Sequence, residues 1–205
     1  MSVAEVKIER VVTAGTFSLD GETFDVDNNV WVLGDHTECV VFDGPHEVPP
    51  IVELVAGRSV RAILCTHAHD DHVRIAPELA DELGAPILLH PDDLPVWQLT
   101  HPDRQPDGEL HDGQQLKVGG AQITVLHTPG HTPGGCCFWV PELGVLFSGD
   151  TLFNGGPGAT GRSFSDHGTI VASIKDRLFA LPDDTIVKTG HGEDTTIGAE
   201  KTGLG

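Results

Sequence analysis

One short segment limits what this chain can fold into more than any other feature: a cluster of metal-ligand side chains directly after an apolar run. Residues 60–65 (VRAILC) are typical of a buried strand, and THAHDDH follows at once. The donors in this cluster are His67, His69, Asp71 and His72. An ionised carboxylate and several imidazoles are too costly to bury together without a cation. Because Zn²⁺ takes such ligands, usually four per ion, the segment predicts a metal site at the rim of a rigid sheet.

The chain supplies three further donors, and each lies in or beside a turn that ends a predicted strand. They are His131 in HTPGHTPG, Asp150 in FSGDTLF and His191 in TGHG. A side chain placed just after a buried strand is held at the edge of a sheet, which is where binding residues are usually found. Two ions need more donors than the first segment offers, and these three make up the difference. The sequence therefore predicts a centre of two metal ions.

The order of predicted elements is that of an α/β protein with two sheets. Apolar and β-branched runs predict a first series of strands at residues 6–12, 29–33, 39–42 and 60–65, with helices at 49–56 and 75–83. A second series spans residues 115–147, followed by a helix at 169–179 and a strand at 185–188. Residues 90–113 predict a polar loop with one helical turn, and the tail from about residue 194 is expected to be weakly structured. Two similar halves indicate two sheets packed face to face in a single domain over residues 1–205.

Composition narrows the choice of partners and compartment. The formal net charge of -19 repels nucleic-acid phosphates and anionic membranes, so neither is expected as a partner. No apolar run is long enough to span a bilayer, and the charged N-terminus does not look like a signal peptide. The cysteines, Cys39, Cys65, Cys136 and Cys137, show neither a C-x-x-C pair nor zinc-finger spacing. We expect free thiols in a reducing cytoplasm.

Taken together, the motifs resemble those of the metallo-β-lactamase superfamily, and within it the glyoxalase II-like (hydroxyacylglutathione hydrolase-like) branch without its C-terminal helical domain. The resemblance covers about residues 28–193, and THAHDDH matches the family's T-H-x-H-x-D-H. It implies a four-layer αββα sandwich with the site at one edge between the sheets. It also implies the ligand roles: one metal held by His67, His69 and His131, the other by Asp71, His72 and His191, and Asp150 as the bridge.

Two further residues take roles from the same resemblance. Asp43, which ends a strand in VVFDG, matches an early structural aspartate and is expected to orient the loop that bears His67. Arg162 matches a basic position that meets the thiol carrier of the substrate. The segment GGPGATGR departs from the family's G-G-C-G-R pattern, and the chain ends shortly after His191. Both departures point away from glutathione and leave mycothiol, bacillithiol or coenzyme A as other carriers.

The chemistry that the resemblance implies is hydrolysis of a thioester or related ester of a small acyl-thiol. Two divalent metal ions, zinc with iron or manganese as alternatives, lower the pKa of a bridging water, so hydroxide is available at neutral pH. Asp71 and Asp150 are the expected catalytic carboxylates, because either can steer the proton of that hydroxide. The expected partner is a small-molecule thioester, with neither nucleic acid nor membrane, and a homodimer is compatible with the sequence.

Other activities stay open at this level. A persulfide dioxygenase resembles glyoxalase II but uses one iron, held here by His67, His131 and Asp150, and two histidines with one carboxylate favour Fe(II). A lactone or phosphodiester hydrolase of the same fold is a further alternative, as is a metal-binding protein without catalysis. Histidines outside the motifs fall into two groups: His36, His46, His101 and His111 are expected in solvent, and His90 and His127 are expected to pack structurally.

Overall fold

A long β-hairpin opens the part of the chain that the computed structural model describes, residues 6–204. Strand β1 (Lys7–Leu19) pairs antiparallel with β2 (Glu22–Gly34) along its whole length. Asp20 and Gly21 between them have positive φ angles of 55° and 78°, as a tight two-residue hairpin turn requires. The sequence predicted only residues 6–12 and 29–33 here, because the halves of the two strands next to the turn carry no clear apolar pattern.

The hairpin lies at one side of a six-stranded mixed sheet. The other strands of this sheet are β3 (Glu38–Phe42), β4 (Ser59–Leu64), β5 (Ile87–Leu89) and β6 (Gly108–Glu109). Their order is β1-β2-β3-β4-β5-β6, antiparallel up to β3 and parallel from β3 onward. The parallel strands therefore bring their carboxyl ends to one edge of the sheet.

A second six-stranded sheet packs against the first. It contains β7 (Gln115–Val118), β8 (Ala121–His127), β9 (Cys136–Val140), β10 (Val145–Gly149), β13 (Ile186–Thr189) and β14 (Thr195–Thr196). The order is β14-β13-β10-β9-β8-β7, and only the β10–β13 pair is parallel. A small hairpin follows β10 and consists of β11 (Leu152–Phe153) and β12 (Gly156–Pro157).

Helices cover the outer faces of the two sheets. They are α1 (Val48–Val55), α2 (Asp70–Val73), α3 (Ala76–Leu83), α4 (Leu94–Thr100), α5 (His167–Ser173) and α6 (Ile197–Gly203). Helix α5 continues as a π turn at Ile174–Leu178, and 3₁₀ turns lie at Pro91–Asp93 and Pro141–Leu143. None of the helices within residues 6–204 is long and apolar enough to cross a membrane.

Three apolar layers hold these elements together. Leu79 of α3 belongs to the layer between the first sheet and its helices. Phe42 and Phe147 lie in the central layer between the sheets, where their rings stack at 4.0 Å. Ile170 and Ile197 belong to the layer between the second sheet and its helices. The order helix, sheet, sheet, helix is the four-layer αββα sandwich, so the predicted fold is confirmed.

The prediction of a weakly structured tail is wrong. The chain after residue 194 forms β14 and α6, because Ile197 is fully buried in the outer apolar layer. The buried carboxylate of Glu200 also accepts hydrogen bonds from the hydroxyl of Thr195 (2.6 Å) and the amide of Gly155 (3.2 Å). A single buried isoleucine among polar residues forms no periodic pattern, so this packing could not be predicted from local sequence.

The segment at residues 90–113 is also more ordered than predicted. It contains the 3₁₀ turn Pro91–Asp93, helix α4 and the short strand β6. Trp97 is fully buried, and its Nε1 donates to the carbonyl of Arg104 at 2.6 Å. The high content of proline and charged residues predicted a loop, but one buried tryptophan anchors the segment to the core.

The packing of α6 predicts a clear stability effect. Ile197→Ala removes a fully buried side chain and should lower the free energy of unfolding by about 2–5 kcal/mol. Ile186→Ala is the matched control, because that isoleucine lies on neighbouring β13 with 40% of its surface exposed and should cost much less. Urea unfolding of the metal-free protein measures both. Equal losses for the two variants would contradict the assigned packing of the tail.

Candidate metal centre

The carboxyl ends of strands from both sheets converge on one edge, and all seven predicted ligands lie there. His67 and His69 follow β4 directly, and Asp71 and His72 lie in the short helix α2. His131 lies in the β8–β9 loop, Asp150 follows β10 and His191 follows β13. His191 is the most accessible, with 24% of its side chain exposed, and the other six are buried.

Three imidazoles form a first group around one point. The ring centroids of His67, His69 and His131 lie 4.7–4.9 Å apart, and the ring planes meet at 78–84°. The Nε2 atom of each ring is buried and has no hydrogen-bond partner among the described residues. Buried polar nitrogens without partners are costly, so three of them facing each other fit a cation ligated by all three rings.

A second group lies beside the first and contains Asp71, His72 and His191. The Nε2 atoms of His72 and His191 are only 3.2 Å apart. Asp71 Oδ2 lies 3.3 Å from His191 Nε2 and 3.6 Å from His72 Nε2. Two imidazole nitrogens and one carboxylate oxygen at these spacings could ligate a second ion.

Asp150 lies between the two groups and contacts both. Its Oδ1 is 3.3 Å from His72 Nε2, and its Oδ2 is 3.3 Å from His191 Nε2 and 3.6 Å from His131 Nε2. Within residues 6–204, Oδ1 has no partner with hydrogen-bond geometry. This central position is the one that a carboxylate shared by two metal ions needs.

Hydrogen bonds from Nδ1, on the side of the ring away from the site, fix the orientation of His131 and His191. The Nδ1 atom of His131 lies 2.8 Å from the carbonyl of Ala159, and that of His191 lies 2.7 Å from the carbonyl of Asp27. A carbonyl can only accept, so both rings donate from Nδ1 and direct the lone pair of Nε2 into the site. Metal-binding histidines show this same arrangement.

Asp43 holds the third ring and the start of the ligand loop. Its Oδ2 accepts from His72 Nδ1 at 2.8 Å and from the Thr66 hydroxyl at 2.8 Å. Its Oδ1 accepts from the Thr66 amide at 2.7 Å, directly before His67. The buried aspartate therefore positions both ends of the segment THAHDDH, and these contacts are the ones expected of a residue that orients this loop.

The two groups differ in the protonation of their imidazoles. Burial and neighbouring imidazoles hold the pKa of His67 well below its usual value and that of His69 at about 3, so both rings are neutral. Burial alone would lower the pKa of His191, but the carboxylates of Asp150 and Asp71 outweigh it and raise that pKa to about 10. For Asp150, burial opposes ionisation, but His191 and His72 lower its pKa well below normal. Divalent ions would replace protons on the second group, and the residues present fit such ions.

Asn28 contacts the centre and His46 contacts Asn28, although no sequence motif marks either residue. The Nδ2 atom of Asn28 donates to Asp71 Oδ2 at 3.2 Å, and its Oδ1 lies 2.8 Å from His46 Nε2. The prediction that His46 lies in solvent is wrong, because the long β1–β2 hairpin folds across it. His101, also predicted in solvent, is half-buried with its Nε2 2.8 Å from the carbonyl of Val73.

Asp93 ties together the two loops that carry the first group of imidazoles. It is fully buried and accepts hydrogen bonds from the amides of Ala68 (2.8 Å) and Gly134 (2.5 Å) and the hydroxyl of Thr132 (2.8 Å). Burial raises the pKa of Asp93, and these bonds oppose the rise. No sequence motif marks Asp93, because its hydrogen-bond donors come from segments that only the fold brings together.

An open cleft of about 520 Å³ leads to the centre. Phe17, Val26 and Phe153 line it, together with two exposed acidic residues, Asp27 and Glu193, which we call the acidic rim. No lysine or arginine among residues 6–204 lines this cleft. Exposed apolar walls and an acidic rim favour an uncharged apolar ligand over an anionic one.

Arg162, predicted to bind substrate, lies outside the lining of this cleft. Its guanidinium lies 2.6 Å from the carboxylate of Glu22 and stacks over the ring of Phe24, both on the outer half of the hairpin. The Ser163 amide also donates to Asp20 at 2.9 Å. The residue therefore joins the glycine-rich loop to the hairpin tip, which the sequence could not show.

Comparison with known proteins shows which family, relatives and solved structure the chain resembles. The sequence profile of the family described as "Metallo-beta-lactamase superfamily" matches residues 23–191. The "Hydroxyacylglutathione hydrolase GloC" of Haemophilus influenzae is 34% identical over 188 residues, covering 83% of this chain and 87% of that protein. The "Probable metallo-hydrolase YqgX" of Bacillus subtilis is 30% identical over 84% of this chain and 89% of that protein. The crystal structure of TTHA1623 in a di-iron-bound form has a TM-score of 0.76 and 33% identity, covering 92% of this chain and 96% of that one.

The contacts of Asp93 predict that it stabilises the fold. Asp93→Asn replaces a charged acceptor of three hydrogen bonds and should lower the free energy of unfolding by about 1.5–3 kcal/mol. Asp92→Asn removes the same charge from the adjacent, exposed side chain and serves as the matched control. Urea unfolding with a chelator present measures both without a contribution from metal binding. Similar midpoints for the two variants would contradict this role.

Proposed function

The chain belongs to the metallo-beta-lactamase superfamily, and we propose that it is a metal-dependent hydrolase that cleaves a thioester or related ester of a small acyl-thiol. The observation that carries the proposal is the set of buried Nε2 atoms of His67, His69 and His131, which have no hydrogen-bond partners among the described residues. They face a carboxylate, Asp150, that also contacts the second group.

The seven converging residues would hold two divalent ions. His67, His69 and His131 would ligate one ion, Asp71, His72 and His191 the other, and Asp150 both. When bound, such a pair lowers the pKa of water and polarises a carbonyl group. Zinc suits these ligands, and the di-iron form of a structure 33% identical to this chain supports iron as an alternative, with manganese as a third.

The protein's own side chains would orient the substrate and hold the proton that the attacking water releases. Asp71 and Asp150 are the carboxylates close enough to the centre to hold a proton during the reaction, and Asn28 fixes Asp71 by its hydrogen bond of 3.2 Å. Phe17, whose ring lies 5.0 Å from that of His69, would pack against the acyl group together with Phe153 and exclude water.

Thioesters are the favoured substrates for two reasons. The likeness to a hydroxyacylglutathione hydrolase covers most of both chains and supports thioester chemistry. A thiolate is also a stable leaving group, so the reaction needs no protein nucleophile. The buried free cysteines suit a reducing compartment, and we place the reaction in the cytoplasm.

The first test measures metal content and thiol release together. Protein purified without added metal should hold about two ions per chain by mass spectrometry, and it should release thiol from acyl-thioesters. Asp150→Asn and His67→Ala should lose metal and lower kcat/KM by at least about 100-fold, because both groups depend on these ligands. His36→Ala, a change of an exposed histidine far from the centre, should match the wild type.

Two results would overturn this assignment. Unchanged metal content and activity in Asp150→Asn would exclude the proposed ligands. One iron per chain, with oxygen uptake in the presence of glutathione persulfide and no thiol release, would identify the dioxygenase alternative that uses His67, His131 and Asp150.

The acidic rim predicts which thiol carriers are accepted. The wild type should prefer thioesters of uncharged thiols such as N-acetylcysteamine over those of glutathione, because Asp27 and Glu193 repel carboxylates. Glu193→Gln should raise kcat/KM for the glutathione thioester about fivefold relative to the neutral one, as about 1 kcal/mol for one charge pair in water implies. Glu142→Gln makes the same charge change on an exposed turn outside the cleft. Equal effects of both variants would show that total charge, not the rim, sets the preference.

A further inference from the structure

The part of the cleft lining that carries Phe153 is a very small hairpin. Strands β11 and β12 have two residues each, with Leu152 opposite Pro157 and Phe153 opposite Gly156. A two-stranded hairpin on its own is marginally stable at best in water, so contacts outside the hairpin must fix its position. The ring centroid of Phe153 lies 6.1 Å from that of His191, a residue of the candidate centre. The shape of the cleft at this point therefore depends on what the hairpin is attached to.

The base and the turn of this hairpin are attached to different parts of the protein. At the base, Leu152 is fully buried, and its carbonyl accepts a hydrogen bond from the Ser148 hydroxyl of β10 at 2.8 Å. The turn consists of Asn154 and Gly155, which are exposed, and both donate a hydrogen bond to the C-terminal tail. For Asn154, the acceptor is the carbonyl of Asp194, at 3.2 Å from Nδ2.

The second contact between turn and tail is made by Glu200 of α6. Both of its carboxylate oxygens lie 3.2 Å from the amide nitrogen of Gly155, and Oε1 also accepts from the Thr195 hydroxyl at 2.6 Å. Glu200 is buried, with 6% of its surface exposed. A buried carboxylate is costly unless hydrogen bonds compensate for its charge, and hydrogen bonds to a charged acceptor are stronger than neutral ones. The tail therefore holds the turn of the hairpin by a contact that is costly to break.

We propose that Glu200 is a positioning residue that holds Phe153 against the cleft and thereby sets the preference of the cleft for longer apolar acyl groups. The inference deepens the proposed function and rests on it, because it takes the acyl group to be the part of the substrate that packs against Phe153. Glu200 itself does not line the cleft, so it acts through Gly155, two residues after Phe153. A ring held close to the ligand gains contact with each added methylene group, and a ring free to move away loses part of that gain.

Binding of uncharged thioethers tests this role without requiring hydrolysis. S-ethyl- and S-hexyl-N-acetylcysteamine have no thioester bond and differ only in the length of the alkyl chain. The metal-loaded wild type should bind the hexyl compound more tightly than the ethyl compound in isothermal titration calorimetry. Glu200→Leu keeps the approximate size of the side chain but offers no acceptor. It should reduce this affinity ratio by at least about fourfold, which is roughly the contribution of one buried methylene group. Glu200→Gln keeps one acceptor oxygen and should restore most of the ratio.

Two further variants separate positioning from other effects. Thr195→Val removes the hydroxyl that holds Glu200 Oε1 but keeps a β-branched residue in β14, so it should lower the ratio by a smaller factor. This variant keeps the test decisive if Glu200→Leu fails to fold. Glu142→Gln removes a negative charge from an exposed turn outside the cleft and should keep the wild-type ratio. A general loss of stability changes both affinities alike, so the ratio reports the position of Phe153.

Three outcomes decide between the role of Glu200 and its alternatives. A wild-type ratio in both Thr195→Val and Glu200→Leu would overturn the proposal, even if urea unfolding showed that Glu200→Leu is less stable. Equal binding of the ethyl and hexyl compounds by the wild type would also overturn it, because the alkyl chain would then not pack against Phe153. If the ratio changes as expected but the wild type releases no thiol from acyl-thioesters, the proposed function fails, while the role of Glu200 in binding apolar groups is supported.

Discussion

The structure depends on one costly arrangement: seven imidazoles and carboxylates brought together at a buried edge. Without a cation, the Nε2 atoms of His67, His69 and His131 stay without hydrogen-bond partners within the described chain. In the second group, the carboxylates of Asp71 and Asp150 raise the pKa of His191 to about 10. Such a cluster would disperse if its backbone could relax. The rest of the fold therefore has to hold the ligand loops in place, and rigid strands that end at one edge meet that need.

Two buried aspartates do most of this holding. Asp43 links the end of β3 to Thr66 and His72, and Asp93 links Ala68 to Thr132 and Gly134. Both accept three hydrogen bonds, so neither charge is buried without compensation. Asp43 also adopts a positive φ of 66°, which aspartate tolerates better than most residues. The ligand geometry is thus fixed by carboxylates that need not touch the metal ions.

Local motifs explain why the ligands could be predicted and other residues could not. His67 to His72 lie in one short segment after an apolar run, and His131, Asp150 and His191 each follow a strand. A position just after a strand predicts a position at the sheet edge, so these ligands could be recognised from the sequence. Asn28, His46 and Asp93 act through contacts between segments far apart in the chain, which no local pattern records. Arg162 shows the reverse case. The motif predicted that it binds substrate, but its side chain contacts Glu22 on the hairpin and does not line the cleft.

The charge distribution around the cleft limits how a substrate can lie in it. A pair of divalent ions would make the floor of the cleft the most positive point of a chain whose formal net charge is -19. The rim carries Asp27 and Glu193, and the walls between rim and floor are apolar. A polarised carbonyl is therefore stabilised only at the floor, while an anionic carrier is repelled at the rim. For the thioester substrate that we propose, the acyl end would enter first, with its apolar part against Phe17 and Phe153 and its thiol carrier at the mouth of the cleft.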